Sequence, residues 1–244
     1  MCCKKKIFSY FCGHNPTPIG GYNLSDASRL AKEVISGWLL CINTHNMTTK
    51  VNILIDGGFF ERKFLEANNR NATAADVVAI VNDAMNKVIT KTNGDTKDIL
   101  FRVFYYDCKP FGETVPDHTK KSSIDFSSLS KYKKKCKFLS DLAKQDKFAV
   151  RLGELSFDGW KQDLHNPQKY KPDFKQKGVD MKVGLDMASM ATKHIVDKIV
   201  LIAGDSDFIS PIKFVRKEGL QVYLYSMGHK VKKPLIEHCD FVLN

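Results

Sequence analysis

A sheet of mainly parallel strands with helices on both faces is the α/β architecture that the sequence predicts. Two observations lead there. From residue 51 onward, short apolar strand patterns alternate with amphipathic helical ones, and a parallel sheet covered on both sides is the arrangement that buries both patterns. Two of the strand runs, VNILI (51–55) and IVLIA (199–203), are also almost continuously apolar, as strands covered on both faces require.

Taken in order, the first strand spans 51–55 and stops at a turn, Asp56-Gly57-Gly58. A helix at 73–90 follows: Thr73 or Ala74 opens it, Asp76 sits in its first turn, and Val77, Ile80, Val81, Ala84 and Val88 form one apolar face. Residues 98–106 are a second strand, rich in Leu, Phe, Val and Tyr. Residues 107–127, with Pro110, Gly112 and Pro116, read as a long loop. A strongly basic helix is expected at 128–144, then an alternating strand at 148–155, then a second irregular stretch at 157–177. A helix at 180–194 places Met181, Leu185, Ala188 and Thr192 on one face. The fourth strand, 198–203, turns at Gly204–Asp207 into a helix that Gly219 stops. A fifth strand at 220–225, a short helix at 232–238 and an edge strand at 240–243 complete the series. No internal repeat is visible.

The N-terminal residues 1–46 fit none of this. Lys4, Lys5 and Lys6 precede a short apolar run, too short for a signal peptide and without a small-residue cleavage site. Residues 25–41 have the spacing of a short amphipathic helix, and Met47 leads directly into the first strand. The expectation is that 47–244 is the domain and 1–46 an N-terminal extension, with Met47 as the natural start. Mass spectrometry of the native protein would test this, and a native N-terminus at Met1 would contradict it.

The net charge of +11 favours a polyanionic partner, although a solvated basic surface produces the same number. Residues 1–46 hold only five of the 38 basic and two of the 27 acidic residues, so the basic character belongs to the rest. No apolar run of membrane-spanning length occurs, so no transmembrane helix is predicted. The seven cysteines are odd in number and form no CxxC pair. Reduced thiols and a cytoplasmic location are therefore expected, and neither a disulfide framework nor a zinc site. No GxGxxG motif follows the first strand, which argues against a dinucleotide-binding domain.

The acids carry the chemistry. In an open parallel sheet, ligands bind beyond the carboxyl ends of the strands. Asp56 ends the first strand, Asp205 and Asp207 end the fourth, and Asp180 opens a helix that begins on the same edge. Each alone has a plainer reading as a helix cap or turn former; convergence of three segments on one edge is what favours a shared site. Clustered carboxylates repel and lose hydration, and a hard divalent cation, Mg²⁺ or Mn²⁺, offsets that cost. Such a site supports phosphodiester hydrolysis. Asp186 lies about 9 Å further along the helix and points about 120° away from Asp180. It belongs behind the ligands, at a second metal, or simply at a groove edge, and it shares Asp180's ion only if Asp180 is an inward-leaning cap. Lys182 and Ser206 adjoin the acids, and Lys175 and Lys177 lead into them, as candidate phosphate-binding groups.

The segments LIDGGFF (54–60), KGVDMKVGLDMASMA (177–191) and AGDSDFISPIKFVRKEGLQVYLYS (203–226), with FYYD (104–107), resemble the NYN domain in its LabA-like branch, within the PIN-like nuclease superfamily. The resemblance runs over roughly residues 50–243. It implies a Rossmann-like three-layer α/β/α sandwich, a Mg²⁺ or Mn²⁺ site and ribonuclease activity. By motif it makes Asp56, Asp180 and Asp205 the metal-binding acids, with Asp207 and Asp186 in support. Many members carry Asn where this chain has Phe59, which implies slower or differently selective action.

The expected function is therefore a metal-dependent endoribonuclease acting on single-stranded RNA, with DNA cleavage left open. Lys131, Lys133, Lys134, Lys135 and Lys137 form a dense basic run that suits phosphates. Trp160, Tyr170 and Phe174 are candidates to stack on bases; a solvated helix face and loop packing are the plainer readings. An RNA-binding module with a weak or dead site is the alternative. A phosphomonoesterase would need a DxD arrangement after the first strand, where the sequence is Asp56-Gly57-Gly58. Asp107, His118 and His229 carry only structural readings.

Overall fold

The computed structural model describes residues 48–92, 96–164 and 166–243. The amphipathic helix expected at 25–41 and the start at Met47 lie outside them. The elements are β1 (Thr48–Asp56), α1 (Gly57–Asn68), α2 (Ala74–Lys91), β2 (Lys97–Cys108), β3 (Thr114–Pro116), β4 (Ser123–Asp125), α3 (Ser130–Ala143), β5 (Phe148–Asp163), β6 (Asn166–Lys177), α4 (Val179–Thr192), β7 (Lys198–Ile202), α5 (Ile209–Lys217), β8 (Gln221–Tyr225), α6 (Lys233–Glu237) and β9 (Phe241–Leu243).

Seven strands form one sheet in the order β6-β5-β2-β1-β7-β8-β9. All neighbours are parallel except β5 and β6, which form an antiparallel hairpin. The period-2 geometry of the strands splits their side chains between two cores. Val51, Ile53, Ile55, Val103, Tyr105, Val200 and Ile202 pack with α1, α2 and α3. Leu54, Tyr106, Ile199, Leu201, Val222 and Leu224 pack with α4, α5 and α6. The result is the expected three-layer α/β/α sandwich, and β1 at its centre is buried on both faces.

Three expectations change. The turn expected after Asp56 is the start of α1. Its first residue must be glycine: a Cβ on Gly57 would lie 2.6 Å from the Tyr106 carbonyl oxygen. The two glycines read as a turn, yet Asp56 caps the helix by accepting the Phe59 N–H at 3.1 Å.

The irregular stretches 107–127 and 157–177 are also ordered. β3 and β4 form a small hairpin. β5 and β6 continue as a twisted arm from the Glu154–Lys177 pair to the Asp163–Asn166 pair. One face of that arm is aromatic. Phe157 and Phe174 pack with Phe111 and Phe126, and the Trp160 indole N–H donates to the Pro116 carbonyl at 2.9 Å. This local core takes Trp160 and Phe174 away from the base-stacking role considered for them, while Tyr170 stacks on His118 with ring centroids 4.5 Å apart. On the arm, Lys161, Lys171 and Lys175 pair with Asp173, Asp163 and Asp158.

The third change is the buried face of α4. Val179, Val183, Met187, Met190 and Ala191 enter the core, while Met181 and Leu185 are 70% and 62% exposed. Both sets have helical spacing, so periodicity alone left the choice open.

Candidate active site

The register sets the level of each group at the sheet's carboxyl edge. Asp56 is paired with Tyr106, which is paired with Arg151. Ala203 follows β7 and leads through Gly204 to Asp205. Phe59 is 5% exposed and lies against Gly204, where a Cβ would meet the ring at 2.5 Å. An apolar wedge thus packs between the Asp56 and Asp205 segments at the position where Asn was considered.

Asp56 and Asp205 both act as caps, as the plainer reading proposed. Asp205 accepts the Asp207 N–H at 3.2 Å and opens a 3-10 turn, Ser206–Phe208, ahead of α5. A carboxylate has two oxygens, so capping does not exhaust either acid. Asp180 is not a cap: Gly178, with φ of 79°, precedes α4, and Asp180 sits in the first turn. Asp180 is exposed, yet partial desolvation raises its carboxyl above its usual range, and the charges of Asp205 and Asp207 push it further. Burial also raises Asp56, against the hydrogen bond from Phe59, and the Asp180 charge adds to the rise. Asp56 thus feels Asp180, and Asp180 feels Asp205 and Asp207. Between Asp205 and Asp207, the Ser206 hydroxyl oxygen is buried with no hydrogen-bond partner.

Among the described residues, no three His, Cys, Asp or Glu side chains stand grouped as a metal site. The donor set of oxygen ligands, elevated carboxyl pKa values and an orphaned hydroxyl fits a hard divalent cation in its chemistry.

The remaining candidates separate. Asp186 does not join Asp56 and Asp180: it accepts the Tyr106 hydroxyl at 3.0 Å and the Arg151 guanidinium at 2.9 and 2.5 Å. With its oxygens so engaged, its expected part as a metal ligand is not supported. Lys175 is paired on the arm with Asp158. Lys177 ends β6 opposite Glu154, one residue before the Gly178 that precedes α4. Lys182 is exposed on α4. Within the basic run, Lys137 pairs with Asp141, and Lys135 is committed elsewhere.

That commitment shows the structural part that Asp107 plays. Lys135 of α3 reaches Asp107 at 2.5 Å and also bonds Glu61 of α1, while the Tyr105 hydroxyl donates to Glu61 at 2.9 Å. Asp107 is 5% exposed, and burial raises its carboxyl to about 6 despite the Lys135 charge. The network locks the start of α1, and with it Asp56, onto the end of β2. Asp107 and Lys135 lie 28 residues apart, so no local spacing announces them.

Among the described residues, no helix is long and apolar enough to cross a membrane. No curated protein matches the chain. A crystal structure of a protein of unknown function from Vibrio parahaemolyticus is similar at 16% identity and a TM-score of 0.44, covering 82% of this chain and 94% of that one. The NYN domain family matches residues 122–243, a span that holds Asp180, Asp186, Asp205 and Asp207 and begins after Asp56. The chain belongs to the NYN domain family, within the PIN-like nuclease superfamily.

Proposed function

We propose that this chain is a metal-dependent endoribonuclease of the LabA-like branch, hydrolysing phosphodiester bonds of single-stranded RNA. The observation that carries the reading is the convergence of Asp56, Asp180, Asp205 and Asp207 on one sheet edge, with the Asp56 and Asp180 carboxyls raised partly by neighbouring acids. These four residues would hold Mg²⁺ or Mn²⁺, and the bound ion supplies Lewis-acid stabilisation of phosphoryl oxygens and activation of water. The protein's own part is to hold the acids in place. The Phe59 and Asp207 N–H groups orient Asp56 and Asp205, and the Lys135 network fixes the entry to α1. The odd number of cysteines and the lack of a CxxC pair support a reducing, cytoplasmic setting.

A second reading, a non-catalytic RNA-binding module, is favoured by Phe59, whose ring closes on Gly204 where Asn would offer polar atoms. Incubation of end-labelled single-stranded RNA with the protein separates the two. Internal fragments that form with Mg²⁺ or Mn²⁺ and vanish with EDTA support the nuclease. Intact RNA, bound equally with and without metal, supports the module.

A further inference from the structure

Asp186 spends its carboxylate on orienting a cation. Arg151 gives it Nε and Nη2, and Tyr106 gives it a hydroxyl. Two such contacts fix the plane of a guanidinium, and among the described residues Nη1 has no hydrogen-bond partner. Arg151 remains 47% exposed. Beside it, Lys182 makes no ion pair among the described residues, and the two cations line a cavity of about 220 Å³ together with Val150 and Leu152.

Three features define what fits. The space lies below the roughly 300 Å³ at which pockets for drug-sized molecules begin, which suits a small anionic group better than a whole nucleotide. The charges of Arg151 and Lys182, less that of Asp186, leave about one positive charge, matching a single phosphodiester. The place is also set: Arg151 is level with Asp56 two strands away, about 10 Å across the sheet, and Lys182 is on the helix that carries Asp180.

We propose that the Arg151–Lys182 cavity is a phosphodiester-binding subsite, taking a backbone phosphate of the RNA strand that neighbours the one cleaved at the carboxylates; this rests on the nuclease reading of that edge. Asp186 is its positioning residue, holding the guanidinium toward the strand. Contacts of this kind set register on the nucleic acid without reading sequence.

The test is binding of a fluorescent single-stranded RNA oligonucleotide to the full chain in EDTA, by anisotropy across a salt series. Lys182→Ala and Arg151→Gln are each expected to weaken binding about tenfold and to make the salt slope shallower by about 0.7, the value of one lost single-strand phosphate contact. Lys193→Ala, at the far end of α4, is the control and should change neither. Lys182 is exposed, so its variant keeps the test meaningful if Arg151→Gln loses stability. Affinity and slope unchanged in Lys182→Ala, or an equal loss in Lys193→Ala, overturns the subsite. Weakened binding by the variants, alongside a wild type that never cleaves RNA, retains the subsite and overturns the nuclease.

Discussion

Asp180 presents the sharpest consequence at the scale of a single residue. Its folded-state pKa is raised, by partial desolvation first and then by Asp205 and Asp207. For a carboxyl raised on folding, the stability tied to protonation is full below the unfolded value near 4 and is lost as pH rises through the folded value. At neutral pH the ionised group therefore opposes folding. Asp180→Asn should raise the Tm of the EDTA-treated protein by on the order of 2 °C, a common gain when a functional residue is neutralised, while impairing cleavage. A lowered Tm in thermal melts would contradict the electrostatic account. The positions of Asp56, Asp180, Asp205 and Asp207 at the carboxyl edge were legible in the sequence because strand ends and helix starts fix that edge. The pairing of Asp186 with Arg151, 35 residues away, was not legible, because a carboxylate does not announce its partner.

At the scale of elements, two ion-pair networks bind segments distant in sequence. Lys135 joins α3 to α1 and the end of β2. Lys135→Met leaves Asp107 buried without its cation, and such a loss costs about 3 kcal/mol; urea unfolding should show it, and a loss under 1 kcal/mol would deny the network its role. At the opposite, amino edge, Lys198 reaches Asp98, whose side chain is shielded from solvent, at 2.6 Å. Burial pushes Asp98 up, but hydrogen bonds from Lys198, Thr49 and Thr96 outweigh it and hold the carboxyl below its usual range. A depressed carboxyl contributes stability that is present above the unfolded pKa and lost as pH falls through the folded one. Asp98→Asn should thus cost about 3 kcal/mol at pH 7 and flatten the acid limb of stability below about pH 5. An unchanged acid limb would refute this. The helices α2, α3 and α5 and the core strands could be read in advance because their periodicity is clean. α1 was hidden by two adjacent glycines, of which Gly57 serves a close approach to the Tyr106 carbonyl and not a turn. The β5–β6 arm was hidden because one face carries alternating lysines and aspartates while its aromatic face packs on a second hairpin.

For the whole molecule, alternating strands and helices were enough to anticipate the parallel sheet, its two helical layers and the edge on which the four acids sit. The arm that extends this sheet was beyond reach, since its core is assembled from residues as far apart as Phe111 and Phe174. The central claim is that the carboxylates of that edge make the molecule a nuclease. Its most direct test is cleavage of a mixed-sequence single-stranded RNA with Mn²⁺ or Mg²⁺, comparing the wild type with Asp56→Asn and Asp205→Asn. Asn keeps a capping oxygen at both positions, so the fold should survive in each variant. The account predicts metal-dependent cleavage by the wild type that both substitutions abolish. Cleavage that persists at the wild-type rate in either folded variant would contradict it.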